Sequence, residues 1–115
     1  MEEIRLTKDA DALICVLYKE YLERRRSGTP REHAKYFGSS KSIHENLMSK
    51  WSFEDVDKTC RELAEANLLE CFCADNTVSE SVVSDLGISY MENRFGRKFH
   101  DILSCLERIR SLLPW

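Results

Sequence analysis

The sequence predicts a mainly helical domain carrying one small β hairpin, and three observations predict it. Apolar residues recur at three- and four-residue spacing through most of the chain. Ser, Thr and Asp stand repeatedly just ahead of those runs, where helix caps belong. Only one stretch, Leu68 to Val83, reads as two short strands around a turn, Asp75-Asn76-Thr77. A chain of 115 residues with 43% hydrophobic and 32% charged content suits one domain with a modest core.

The first helix is expected from about Thr7 to Arg26. Ala10, Leu13, Ile14, Leu17, Tyr21 and Leu22 form its apolar face, and Thr7 or Asp9 caps it. Arg24, Arg25 and Arg26 suit the negative end of the helix dipole, and Gly28 breaks the run. Thr29-Pro30-Arg31-Glu32 reads as a capping box for a short helix ending near Phe37 and Gly38. Ser42-Ile43-His44-Glu45 reads as a second box, opening a helix through about Met48. Ser52 then caps a helix with Phe53, Val56, Cys60, Leu63 and Ala64 as its stripe, and Asn67 is its left-handed end. After the hairpin, Ser84 caps a helix whose inward residues are Leu86, Ile88, Met91 and Phe95. Gly96 predicts a break. Beyond it, Phe95, Phe99, Ile102, Leu106, Ile109 and Leu113 alternate four- and three-residue steps, as a coiled-coil seam does. The expected organisation is a domain over 1–95 and a C-terminal amphipathic helix over 96–115 that joins two copies.

Composition excludes several classes. No apolar run approaches the roughly 18 residues of a membrane span. No leader pattern follows Met1, so a cytosolic address and no membrane partner are expected. Cys15, Cys60, Cys71, Cys73 and Cys105 contain no C-x-x-C pair, and His33, His44 and His100 are scattered. That predicts reduced structural thiols and neither a metal site nor a cofactor. No G-x-S-x-G, H-E-x-x-H or phosphate-binding glycine loop occurs, so no catalytic residues are expected and the chain is read as a non-enzyme.

The order helix, short helices, helix, hairpin, helix resembles the winged helix-turn-helix of small prokaryotic transcription regulators. FEDVDKTCRELAEANLLE, from Phe53 to Glu70, looks like the second helix of the motif entering its first wing strand. VVSDLGISYMENRF, from Val82 to Phe95, looks like the wing returning into the closing helix. The likeness extends loosely to the YjcQ-like group of small bacterial winged-helix proteins. It implies that helix 53–66 enters the DNA major groove and that turn 75–77 touches the adjacent backbone.

Charge bears on that implication. From Trp51 to Glu92 there are two basic residues against ten acidic ones, and DNA repels negative charge. From Lys19 to Lys50 there are eight basic residues against four acidic. The DNA-contact candidates are Lys41, Lys50, Ser52, Lys58, Arg61 and Asn76, beside a basic patch of Arg24, Arg25, Arg26, Arg31 and Lys35. The expected partners are double-stranded DNA and a second copy of the chain. The competing reading is a protein-interaction module, in which the acidic face of helix 53–66, with Glu54, Asp55 and Asp57, meets a basic protein. Tyr18, Tyr21, Tyr90 and Phe99 could border an effector pocket, although core filling is the commoner use of such aromatics.

Overall fold

The computed structural model describes residues 4–96 and 98–110, the side chains of Phe99, Ile109 and Arg110 excepted. The described chain is mostly helical, with one antiparallel pair of strands. Six helices are α1 (Lys8–Arg26), α2 (Arg31–Ala34), α3 (Ser40–Asn46), α4 (Phe53–Glu65), α5 (Asp85–Phe95) and α6 (Phe99–Arg110). The strands are β1 (Leu69–Ala74) and β2 (Thr77–Val83).

α1 is the central element. Thr7 caps it by accepting from Ala10 N–H at 3.2 Å. Ala12 and Cys15 are buried as well as Leu13, Ile14, Leu17, Tyr18, Tyr21 and Leu22, so most of its circumference is covered. α2, α4, α5 and α6 pack around it. Glu62 of α4 accepts from both the N–H and the hydroxyl of Thr7, which fixes the far end of α4 against the start of α1.

The two capping boxes expected at Thr29 and Ser42 are corrected. α2 starts after Pro30, with no side-chain cap, and ends by Ala34. α3 is capped by Ser39, whose hydroxyl accepts from Ser42 N–H at 3.0 Å, so Ser42 lies inside the helix. The segment expected to stay helical to Phe37 becomes extended instead. Tyr36 forms a β bridge to Val82, with Phe37 N–H donating to Ser81 O and Val83 N–H to Lys35 O, both at 2.9 Å. This strap joins the two-stranded sheet by that single bridge, on the opposite side of β2 from β1. Its pairing partner lies 46 residues away in sequence, beyond the reach of any local propensity.

The hairpin turns on Asp75 and Asn76, with φ of 53° and 64°, the left-handed pair that a two-residue hairpin requires. Asn67 has φ of 64° and ends α4 as expected. Ser84 caps α5 by accepting from Gly87 N–H at 2.9 Å, and its own hydroxyl donates to Asn67 O at 2.6 Å. Gly87 sits so close to the preceding chain that an added Cβ would lie 2.3 Å from Leu68 O. Leu86, expected inside, is 49% exposed. Gly96, at φ 62°, separates α5 from α6 and accepts the Tyr18 hydroxyl at 2.7 Å.

Two residues of the seam expected on α6 face their own chain. Ile102 and Leu106 are buried in the single core cluster, and Phe95 packs partly against it. The part of the stripe that Ile102 and Leu106 form is therefore already covered within one copy. Leu113 and the side chains of Phe99 and Ile109 lie outside the described residues.

Candidate nucleic-acid interface

α3, α4 and the hairpin are fastened by one carboxylate. Asp57 accepts from the Ser40 hydroxyl at 2.7 Å, from Val78 N–H at 2.8 Å and from Arg61 Nε at 3.0 Å. Its side chain is 13% exposed. Burial pushes its carboxyl up. The hydrogen bonds from Val78, Ser40 and Arg61, with the Arg61 charge, outweigh that and hold it below the usual carboxylate range. Asp57 belongs to the interior and is removed from the acidic face in which the sequence placed it.

Arg61 is engaged by the same arrangement. Besides Asp57, its guanidinium donates to Asn76 O in the hairpin turn. The Asp57 hydrogen bond and charge raise its pKa further, so it stays a fixed cation inside a pair. Arg61 and Asn76, both candidates for DNA contact, are thus bonded to each other. Ser52 is likewise occupied: its hydroxyl accepts from Asp55 N–H at 3.1 Å as the cap of α4.

The basic patch is drawn into contacts of the same kind. Arg24 donates to Ala34 O at 3.2 Å and Tyr36 O at 2.7 Å, pairs with Glu20 at 3.3 Å, and lies over the Phe37 ring. It clamps the strap onto α1. Arg25 donates to Thr29 O at 3.2 Å. Lys35 is buried and binds Asp85 at 3.0 Å and Glu32 at 3.4 Å, and Arg31 binds Asp85 at 3.2 Å. Arg26 also has an interaction partner. Burial alone would lower the Lys35 pKa, but Asp85 and Glu32 raise it above the ordinary value. The patch holds α2, the strap and α5 together. A signal for this existed in the sequence only as Asp85 and Glu32 themselves, with no indication of which cations they would meet.

What remains on the surface is mixed. Lys41, Lys50 and Lys58 are exposed and form no ion pair among the described residues. On α4 the exposed charged residues are Glu54, Asp55, Lys58 and Glu65, three carboxylates against one ammonium. At ~5 Å in water each unit charge interacts with a phosphate by ~0.8 kcal/mol. Laid in a groove, this face is therefore repelled by roughly twice that amount before any counterion effect.

The remaining features carry less. Tyr18 and Tyr21 stack in the core with ring centres 6.0 Å apart, and both are buried, so this pair fills the interior. An open groove of about 490 Å³ lies elsewhere, between Val16 and Lys19 of α1, the turn at Met48, and Leu103 and Leu106 of α6. The five cysteines are free thiols. Among the described residues no His, Cys, Asp or Glu cluster could hold a metal ion, and no helix is long and apolar enough to cross a membrane. Comparison with protein-family models, curated proteins and solved structures returns no match to this chain.

Proposed function

We propose that the chain is a winged-helix domain that meets a positively charged protein through the exposed face of α4. The winged-helix reading is supported by the order helix, short helix, bridging strap, helix, helix, hairpin, with the strap joined to β2 by one bridge and the hairpin packed against α4. The observation that carries the partner reading is the inward use of Arg61. With it bonded to Asp57 and Asn76, the free charge of α4 is Glu54, Asp55 and Glu65 against Lys58. Such a face accelerates and selects encounters with basic surfaces.

A second reading is DNA binding, favoured by the three exposed, unpaired lysines on α3, on its following turn and on α4, namely Lys41, Lys50 and Lys58. They could reach phosphates from either side of the acidic strip, which would leave sequence reading to few groups.

One experiment separates the two. The chain is titrated in low salt, at about 50 mM, against a lysine- and arginine-rich peptide and against a mixed-sequence DNA duplex. The first reading expects peptide binding that weakens at least about tenfold when Glu54, Asp55 and Glu65 become lysine, and no duplex binding. Duplex binding that disappears when Lys41, Lys50 and Lys58 become alanine refutes it and supports the second.

A further inference from the structure

The backbone directions of the sheet leave one edge open. In antiparallel pairing the N–H and C=O of one residue point to one side of the strand, and those of the next residue point to the other. Ser81 O and Val83 N are bonded to the strap. Glu80 and Val82 must then turn their groups toward β1, and their partners Phe72 and Glu70 turn theirs back to β2. Past the register shift, Val78 N–H goes to Asp57, so its partner Cys73 receives nothing from it. The N–H and C=O groups of Cys71 and Cys73 therefore point away from the sheet. Outside the β1–β2 ladder, no backbone hydrogen bond among the described residues reaches them.

This edge lacks the usual protections. β1 contains no Lys, Arg or Pro, and its one charge is Glu70. Natural edge strands are normally blunted by such residues or covered by another element. Phe72, at 66%, is the most exposed large hydrophobic residue among those described. Glu70 and Phe72 share the outer face of the sheet, while Cys71 and Cys73 share the other.

We propose that β1 is a homodimerisation edge, where the β1 strands of two copies pair antiparallel about a two-fold axis at Phe72. In that register Cys71 lies opposite the partner's Cys73, and both present backbone groups to the open edge, so their hydrogen bonds close. Slipping by one residue would oppose a residue whose groups face inward. Slipping by two would set Phe72 against Glu70 or against Ala74. The Phe72-centred register alone places ring against ring, at the close non-hydrogen-bonded spacing of about 4.5 Å between Cα atoms. It also sets Glu70 against Ala74, so no like charges meet. A second copy fits this edge for that reason: the strand is complementary to itself. α6 offers less, because Ile102 and Leu106 are already buried within one chain.

The test is sedimentation equilibrium of the full chain from about 1 μM to about 500 μM, for wild type, Phe72→Lys and Leu103→Lys. Wild type should show a reversible dimer. Phe72→Lys puts two ammonium groups face to face and should weaken it at least about tenfold, whereas Leu103→Lys, on the half-exposed side of α6, should not. Hydrogen exchange at the Cys71 and Cys73 amides should slow as protein concentration rises. Cys73→Pro deletes one edge donor and gives an independent variant, expected to weaken the dimer with the monomer still folded by circular dichroism. A monomer at every concentration overturns the proposal. So does a dimer that survives Phe72→Lys and breaks with Leu103→Lys, or exchange at Cys71 and Cys73 that ignores concentration. Its failure would leave the α4 reading untouched, since the peptide titration does not involve β1.

Discussion

Replacing Asp57 with alanine should be among the most damaging changes on the α3–α4 side of the molecule. Three donors lose their acceptor at once: Val78 N–H at 2.8 Å, the Ser40 hydroxyl at 2.7 Å and Arg61 Nε at 3.0 Å. A buried donor left without a partner costs about 1–3 kcal/mol. Val78 N–H has nowhere else to go. The Ser40 hydroxyl can keep a weaker bond to Val78 O at 3.3 Å, and Arg61 is exposed enough to reach water. The expected loss is therefore about 3 kcal/mol, set mainly by the Val78 amide and the stranded partners. Asp57→Asn keeps one oxygen for Val78 and Ser40 but turns an amide against Arg61, and should cost about half as much. Urea unfolding at pH 7, read with an unchanged denaturant slope, measures both. The sign of the pH dependence follows from the lowered pKa of Asp57. Its contribution is full above the unfolded carboxylate value of about 4 and is lost as pH falls through the lower folded value. The gap between wild type and Asp57→Ala should therefore narrow below about pH 4. A loss at neutral pH under about 0.5 kcal/mol, or a gap that widens in acid, would refute the hub.

Other substitutions probe other joints. Gly87→Ala drives a methyl to 2.3 Å from Leu68 O, a backbone atom that cannot yield without moving β1, so a loss of about 3 kcal/mol is expected by urea unfolding. Ser39→Ala removes the cap of α3 and should cost about 1 kcal/mol, while Thr29→Ala, which caps nothing, should cost under about 0.5 kcal/mol. With a thiol reagent at pH 8, exposed Cys73 should react first. Cys60 should be the slower, since burial pushes its thiol up to about 12, and half-buried Cys71, at about 11, should fall between; equal rates would contradict this order.

The local signals and the long-range ones differ in how far they could be read. Thr7, Ser52 and Ser84 cap the helices that the sequence assigned to them, and Asn67, the Asp75–Asn76 turn and Gly96 fall where turns were expected. Each of these depends on a residue and its neighbours within four positions. The strap at Lys35–Phe37 depends on β2, and nothing in Tyr36 or Phe37 announces a partner so distant. The charged candidates divide on the same ground. Arg24, Arg31, Lys35 and Arg61 were counted as free cations, yet each is engaged by a carbonyl or carboxylate supplied by the fold. Lys41, Lys50 and Lys58 lie where tertiary contacts did not claim them. Net charge along a sequence therefore overstates the charge available to a partner, and here it did so most for the arginines, whose planar donors suit backbone carbonyls.

The α6 stripe is the clearest case in which core demand decides. A small domain whose first helix is apolar on one face can close without a further helix. α1 is different, because Ala12 and Cys15 are buried alongside Leu13, Ile14, Leu17, Tyr18, Tyr21 and Leu22. A helix covered on most sides needs cover from more than one neighbour. α4 and α6 both pack on α1, and Ile102 contributes a fully buried side chain from α6. Ile102→Ala should thus destabilise the chain by about 2–4 kcal/mol, the range for truncating a buried isoleucine. The decisive feature is concentration. Loss from the core of a single copy shifts the unfolding midpoint equally at about 2 μM and about 200 μM, even if both variants dimerise through β1, whereas loss from an α6 dimer seam gives a shift that itself grows with protein concentration. Measuring Ile102→Ala and wild type at both concentrations distinguishes them. If the shift caused by Ile102→Ala disappears at the lower concentration, the stripe belongs between copies and the assignment of Ile102 to the core of one chain is wrong.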